Sequence, residues 1–345
     1  MKRIATWGTI VVCIVFALAA CGGKTGAPVA GRSEAASMLN LIPKNVQGVF
    51  VIDAQKALNI QFTDKAIKDG KNYQKYLDFI KETGLDPQKD IFYMAVGVGA
   101  SVAGASEPDV VVVANLKYDK DRLLAKLRKD ATEEIKEETY NGVTLYSSSK
   151  DGKTGAGAFL DASNIAAGTT AMVKQAIDVF QKKADNVWKN EGLAAVIKTG
   201  NSKAMVWSAF AIPPEATQKL AQQNPMMGVL EGMKAMTMFF DYANKSLSME
   251  IRLAGGEATK NKQLADMMTG FKALGAGAAA KNPDIGDLLN RIEISSGDDF
   301  VRIGASVPED LLQKLGKSAA QKVEGMMAPK TEDPAEKPVE EEEID

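Results

Sequence analysis

Two hydrophobic periods take turns along this chain, and the switches between them mark its elements. "GVFVID" (48–53) reads as a strand, and the helix predicted over "KNYQKYLDFIKETG" places Tyr73, Tyr76, Leu77 and Ile80 at i, i+3, i+4 and i+7, with Gly84 as its C-terminal cap. Strands follow at "IFYMAVGVG" and "DVVVVANL", then a helix from near Asp119 with Leu123, Leu124 and Leu127 facing inward. "GVTLYSS" and "GAFLD" flank "KDGK", whose Asp151 and Gly152 read as the strongest short-range hairpin signal in the chain. A short strand "NIAAG" leads to a helix capped by Thr169 or Thr170, with Val173, Ala176, Ile177 and Phe180 on one stripe.

The same outline then recurs without obvious sequence identity. "AMVWSAFAI" (204–212) opens as a strand, and "PPEATQKLAQQ" begins a helix with proline in its first turn. "MTMFFDY" and "SLSMEIRLA" form a hairpin across "ANK", with Leu247, Met249, Ile251 and Leu253 alternating inward against Ser248, Glu250 and Arg252. A helix carries Leu264, Met267, Met268 and Phe271; "RIEISS" and "FVRIGAS" pair across "GDD"; a last helix starts at Pro308 with Leu312 and Leu315 inside. Strand pairs with helices inserted between them predict an α+β fold: two similar halves, 36–190 and 191–325, of mostly antiparallel sheet with helices packed on one face.

The N-terminus follows a different logic. Lys2 and Arg3 precede a charge-free run from residue 4 to residue 23, the layout of a secretory signal. Its end, "LAAC" (Leu18, Ala19, Ala20, Cys21), resembles the lipobox of bacterial lipoproteins. That resemblance implies removal of residues 1–20, a diacylglyceryl group on the Cys21 thiol, and acylation of the new N-terminus. The alternative is a retained transmembrane anchor, since about twenty apolar residues span a bilayer; either way the body lies outside the cytoplasm. Gly22 stands where an aspartate would resemble an inner-membrane retention signal of some two-membrane bacteria, which in such a cell points to the periplasmic side of the outer membrane. Residues 21–35, with "GGKTGAPVAGRSE", read as a lipidated tether reaching on the order of 20 Å.

Composition narrows the chemistry. There is no histidine, and the only cysteines are Cys13, within the signal, and Cys21. Histidine-based nucleophile activation, a histidine general base and Cys/His zinc sites are therefore excluded, and the mature chain holds no disulfide. Without Lys2 and Arg3 the chain has 40 basic and 44 acidic residues, a net charge of −4. "TEDPAEKPVEEEEID" carries −7 of this, so residues 326–345 read as an acidic, disordered tail that is solubilising or, alternatively, docks a basic partner or divalent cations. No basic stripe with interleaved aromatics suggests nucleic acid.

Further likenesses are local. "KETGLDPQKDIFYMAVGV", "YNGVTLYSS" and "NIAAGTTAMVKQAIDVF" resemble units of uncharacterised exported bacterial α+β domains over much of 40–215, which implies a fold and no activity. Gly99 and Gly104 have the Walker A separation, but Ala105 and Ser106 replace its Lys-Ser/Thr pair and a strand follows. "SSSK" (147–150) and "KTG" (153–155) resemble penicillin-binding-protein elements, yet both fall on one predicted hairpin instead of far apart. Asp119 with Asp121, and Asp284 with Asp287, suit calcium or helix capping, and capping is favoured because each pair stands at a helix start. Asp298 and Asp299 serve a turn.

The methionines remain. Nine of fifteen lie between Met205 and Met268, a pattern that fits an ordinary core or an apolar groove for lipid or peptide. The expectation is a lipid-anchored, non-enzymatic envelope module, binding the membrane through Cys21 and an envelope protein or other ligand through its body, with no cofactor, metal or catalytic residue. The alternatives are a carrier of a lipid or other hydrophobic ligand using the Met-rich half, and an enzyme built on carboxylates or lysine.

Overall fold

The computed structural model describes residues 35–316 apart from 61–62, 65–66, 69, 71, 100–108, 132, 151–152 and 280–281. The signal, Cys21, the tether, the acidic tail, the Asp151-Gly152 turn and the second Walker-spaced glycine lie outside the described residues. In chain order the elements are a 3-10 segment Ala35–Leu41, β1 Val46–Asp53, α1 Ala54–Leu58, α2 Tyr73–Thr83, α3 Pro87–Asp90, β2 Ile91–Gly99, β3 Val110–Leu116, α4 Lys120–Asp130, β4 Lys136–Tyr140, β5 Val143–Lys150, β6 Lys153–Phe159 and β7 Asn164–Thr169. Then come α5 Thr170–Phe180, α6 Glu191–Thr199, β8 Val206–Ala211, α7 Pro214–Gln223, a 3-10 segment Pro225–Leu230, β9 Met233–Ala243, β10 Ser246–Gly255, α8 Ala258–Ala278, α9 Pro283–Asn290, β11 Glu293–Ser296, β12 Phe300–Pro308 and a last helix α10 over 309–316.

All twelve strands join one sheet in the order β11-β12-β10-β9-β8-β1-β2-β3-β7-β6-β5-β4, and every pairing is antiparallel. The fold is therefore α+β, built on antiparallel sheet. Read outward from the centre, β1-β2-β3-β7-β6 and β8-β9-β10-β12-β11 have the same connectivity, and β5-β4 extend the first series. The two opening strands pair with each other, Val51 opposite Trp207 and Val49 opposite Ala209. The halves thus share one sheet, and α6, which follows residue 190, buries Leu193 and Ile197 in the same core cluster as Val49, Val111 and Val173.

Helices cover both faces of the first half, not one. On one face α5, α6 and the 3-10 segment Ala35–Leu41 pack on Val51, Val111, Val113 and Leu145; on the other, α1, Leu85 and Phe79 pack on Ile52, Met94, Val112 and Ala114. The cause is in β3, whose run of four valines and Ala114 is buried on both sides, so that no polar alternation marks a solvent face. Thr169 takes the N-cap position of α5 without a side-chain cap, and neither it nor Thr170 has a hydroxyl partner among the described residues. In α2 the predicted stripe is rotated: Leu77 is exposed, while Phe79 packs inward. Gly84 does cap the helix, with φ of 72° and its N–H donating to Ile80 O; a Cβ there would also strike the Arg122 guanidinium at 2.5 Å.

Helices α2 and α4 are joined by Glu82, which pairs with Lys126 and Lys129. Hydrogen bonds from those two lysines hold the Glu82 carboxyl down at about 2, from an ordinary 4.5. Because the folded value is depressed, this link supports the native state above about pH 4.5 and is lost as pH falls toward 2. A carbon-detected NMR titration is expected to place the Glu82 midpoint near 2; a midpoint at the free-carboxylate value would show that the pairs do not form in solution.

Candidate functional site

Across the second half, alternate residues of the central and outer strands line one apolar surface. Residues directly opposite in an antiparallel sheet share a face, so the register defines a row: Val96, Phe50, Ser208, Met238, Ile251, Ile303 and Ile294. A second row contains Phe210, Met236, Leu253 and Val301; a third, on the other side, contains Val206, Phe240, Met249 and Ala305.

Helical cover reaches this surface only at its ends. At one end Val206, Tyr242 and Leu247 pack into the cluster under α1; at the other, Leu253 and Val301 pack under Leu264 and Ala265 of α8. Between them Phe50, Phe210, Met236, Met238, Phe240, Met249, Ile251 and Ile303 are each only partly buried. None of the eight belongs to a helix-covered cluster of the described residues. The residues expected inward on β10 are thus correctly placed on one face, but that face is incompletely covered.

Local geometry fixes the floor. Phe210 and Phe50 meet edge to face at 5.0 Å. The Phe210 ring lies across Gly48, where an added Cβ would fall 2.0 Å from it; glycine at that point lets an aromatic ring rest on the backbone of β1. Ser208 sits in the middle row at 0% exposure, and its hydroxyl has no hydrogen-bond partner among the described residues. A buried hydroxyl without a partner is costly, about 1–3 kcal/mol, so its place amid Phe50 and Met238 is a property of the site.

The opposite face is the main core at β1, β8 and β9, where Val51, Trp207 and Phe239 lie, and turns polar at β10 to β12. Arg302 pairs with Glu250 at 2.5 Å and with Glu293 at 3.6 Å, and the Arg252 guanidinium lies 3.8 Å from the Phe300 ring centre. On the apolar face, Tyr242 donates to Glu309 and ties β9 to α10; burial and then the Glu309 carboxylate push its phenol up to about 12.

The predicted chemistry of other residues resolves into structure. Asp119 caps α4, accepting from the backbone N–H of Asp121 and Arg122. Asn282, not Asp284, caps α9, and Asp287 pairs with Arg291 at 3.2 Å. Asp298 and Asp299 form the β11–β12 turn, closed by Gly297 N–H donating to Phe300 O. Ser147–Lys150 and Lys153–Gly155 face each other on β5 and β6. Among the described residues there is no cluster of three or more Asp, Glu, His or Cys able to hold a metal ion, and no helix is long and apolar enough to cross a membrane. Phe271, expected to share the buried stripe of α8, is 57% exposed, and Leu274 beyond it is 73% exposed.

The chain belongs to a family described as proteins of unknown function, DUF3352, whose match spans residues 79–267. No curated protein matches it. Among solved structures it is similar to crystal form III of TP0453, at 10% identity and a TM-score of 0.46, covering 81% of this chain and 97% of that one. Crystal form I of the same protein gives 10% identity and a TM-score of 0.43 over 84% and 99%.

Proposed function

We propose that this member of the DUF3352 family is a non-enzymatic cell-envelope protein, held at a membrane surface by lipid on Cys21, that binds a hydrophobic ligand through the Met-rich sheet face of its second half. The observation that carries the reading is the partly buried apolar surface of Phe50, Phe210, Met236, Met238, Phe240 and Ile251, none of which belongs to a helix-covered cluster of the described residues. Methionine is flexible and polarisable and repacks around varied shapes, and an acyl chain laid on such a floor gains about 0.8 kcal/mol per buried CH₂. Ser208, beside Met238 in the same row, offers its unpartnered hydroxyl to a carbonyl or hydroxyl of an amphiphile once its neighbours move aside. These features favour a lipid or similar amphiphile over the broader reading of a protein-interaction module. The lipobox at Leu18–Cys21 supports the placement, since a tether of about 20 Å keeps the body within reach of bilayer lipid.

The test is mass spectrometry of organic extracts from the purified soluble body, residues 22–345. One amphiphile class is expected at near-stoichiometric amount in the parent and depleted about tenfold in Met238→Glu, a partly buried position that accepts a charge without emptying the core. Empty parent protein, or equal loading of both, would overturn the proposal.

A further inference from the structure

The two ends of the sheet are finished differently. At one end β4, "KEETY", presents Lys136, Glu137 and Glu138, all exposed, the charged edge by which sheets resist pairing with other chains. At the other end, β11, "EISS", has only Glu293 charged, and no described strand pairs with its outer side.

The hydrogen-bonding state of β11 follows from its turn. Gly297 N–H donates to Phe300 O, so in antiparallel alternation the pairs Ser295/Arg302 and Glu293/Gly304 bond to each other, while Ile294/Ser296 turn their backbone groups outward. Outside that ladder the N–H and C=O of Ile294 and Ser296 make no backbone bond among the described residues. Beside this edge is a cavity of about 360 Å³, walled by Ile294–Asp298 on one side and on the other by Ala258, Lys262, Ala265, Asp266 and Thr269. Those five residues form one stripe of α8, small at three positions and carrying an internal Lys262–Asp266 ion pair of 2.6 Å at the other two. Helix α8 is held against the sheet at both ends of this groove: the Asn261 amide donates to Gly297 O and Asp298 O, and Lys272 Nζ donates to Ile292 O.

A groove between a helix and an unpaired edge strand is the setting in which proteins bind an extended peptide as an added strand. We infer that the β11 edge and α8 form a docking groove for an extended segment of a partner protein, which adds as a thirteenth strand. Its backbone pairs with the N–H and C=O of Ile294 and Ser296, giving four hydrogen bonds. Side chains of the added strand on the Ile294 side enter the cavity against Ala258, Ala265 and Thr269, which suits valine, threonine or isoleucine. Side chains on the other side flank Glu293, 76% exposed and only 3.6 Å from an Arg302 already bonded to Glu250; that position takes lysine or arginine. The segment recognised is therefore one that alternates β-branched and basic residues. This inference is independent of the apolar floor on β8–β12 and of the lipid anchor.

The probe is a fluorescein-labelled octapeptide of alternating valine and lysine, its ends blocked, titrated by fluorescence anisotropy against the soluble body, residues 22–345. Saturable binding is expected. N-methylation of every second backbone amide, in the register that faces β11, is expected to weaken it at least about tenfold, and the opposite register to leave it within about threefold. Ser296→Pro removes an outward N–H that makes no native bond, so the fold is retained while binding falls about tenfold; Ala258→Trp, at an exposed position, fills the groove and acts likewise. No binding at millimolar protein would overturn the inference, as would binding indifferent to N-methyl register and to both substitutions. A dimer of the parent that Ser296→Pro dissociates, without peptide binding, would instead make a second copy of this chain the occupant and overturn it as well.

Discussion

Trp207→Ala is expected to destabilise the protein by about 3–5 kcal/mol, the usual cost of deleting a buried large aromatic side chain. Trp207 is 1% exposed and among the largest fully buried side chains. It lies on β8, opposite Val51 of β1 and Phe239 of β9, and belongs to the cluster that also holds Leu193 and Ile197 of α6. It therefore stands where the two halves meet. Urea unfolding followed by circular dichroism should show one transition with a lower midpoint and an unchanged slope. Two separated transitions would mean that the halves unfold independently and that the shared core does not couple them. Trp207→Phe provides the complementary measurement. The indole Nε1 has no partner among the described residues, so phenylalanine loses volume but also removes an unpaired donor. It should remain within about 1.5 kcal/mol of the parent. A loss as large as that of the alanine variant would show that the indole N–H is bonded after all.

Cys21→Ser is expected to abolish acylation. Only a thiol can carry a thioether-linked lipid, and of the two cysteines Cys21 alone would remain after removal of residues 1–20. In cells fed a labelled fatty acid, the parent chain should incorporate label and run at the size lacking residues 1–20; the serine variant should do neither. Fractionation alone does not discriminate, because an unprocessed variant keeps the charge-free run of residues 4–23, itself long enough to hold a bilayer. Labelling and processing unchanged in the serine variant would remove the basis for placing this protein at a membrane.

How much of the fold is legible depends on how strongly each element's pattern is tied to burial. The span 91–99 reads as a strand end to end and is β2. The hairpin around "ANK" is equally clear, and Asn244 and Lys245 both take positive φ in its turn. By contrast β4 escapes the pattern, since "KEETY" has nothing apolar to alternate and sits at the sheet's charged edge. The signal that finds it is Asn141-Gly142, with φ of 51° and 80°, an Asn-Gly turn at least as diagnostic as the Asp-Gly of "KDGK". The one-face arrangement fails at β3, where continuous valine carries no information on which side is covered.

The site was legible in part. Methionine density between Met205 and Met268 singles out the right half, but composition cannot distinguish residues under a helix from residues beside one. Met233 is buried at 2%, whereas Met226, in the segment Pro225–Leu230, is 57% exposed. Phe50 and Val96 join the surface from the first half only through the β1–β8 and β1–β2 registers, a long-range pairing that local periodicity does not encode. Ser208 gives no signal at all in "AMVWSAFAI", because its burial is set by strands on either side.

The way the chain enters the body has a mechanical consequence. Its first described segment, Ala35–Leu41, buries Met38 and Leu39 at 2% and 0% in the central core, and the strand it leads into, β1, is hydrogen-bonded on both sides by β2 and β8. Load arriving from an N-terminal attachment is delivered to the middle of the sheet, where many bonds must shear together, and not to a rim from which strands peel away singly. Tugging by a fluctuating surface would then leave the outer strands β9 to β12 at rest.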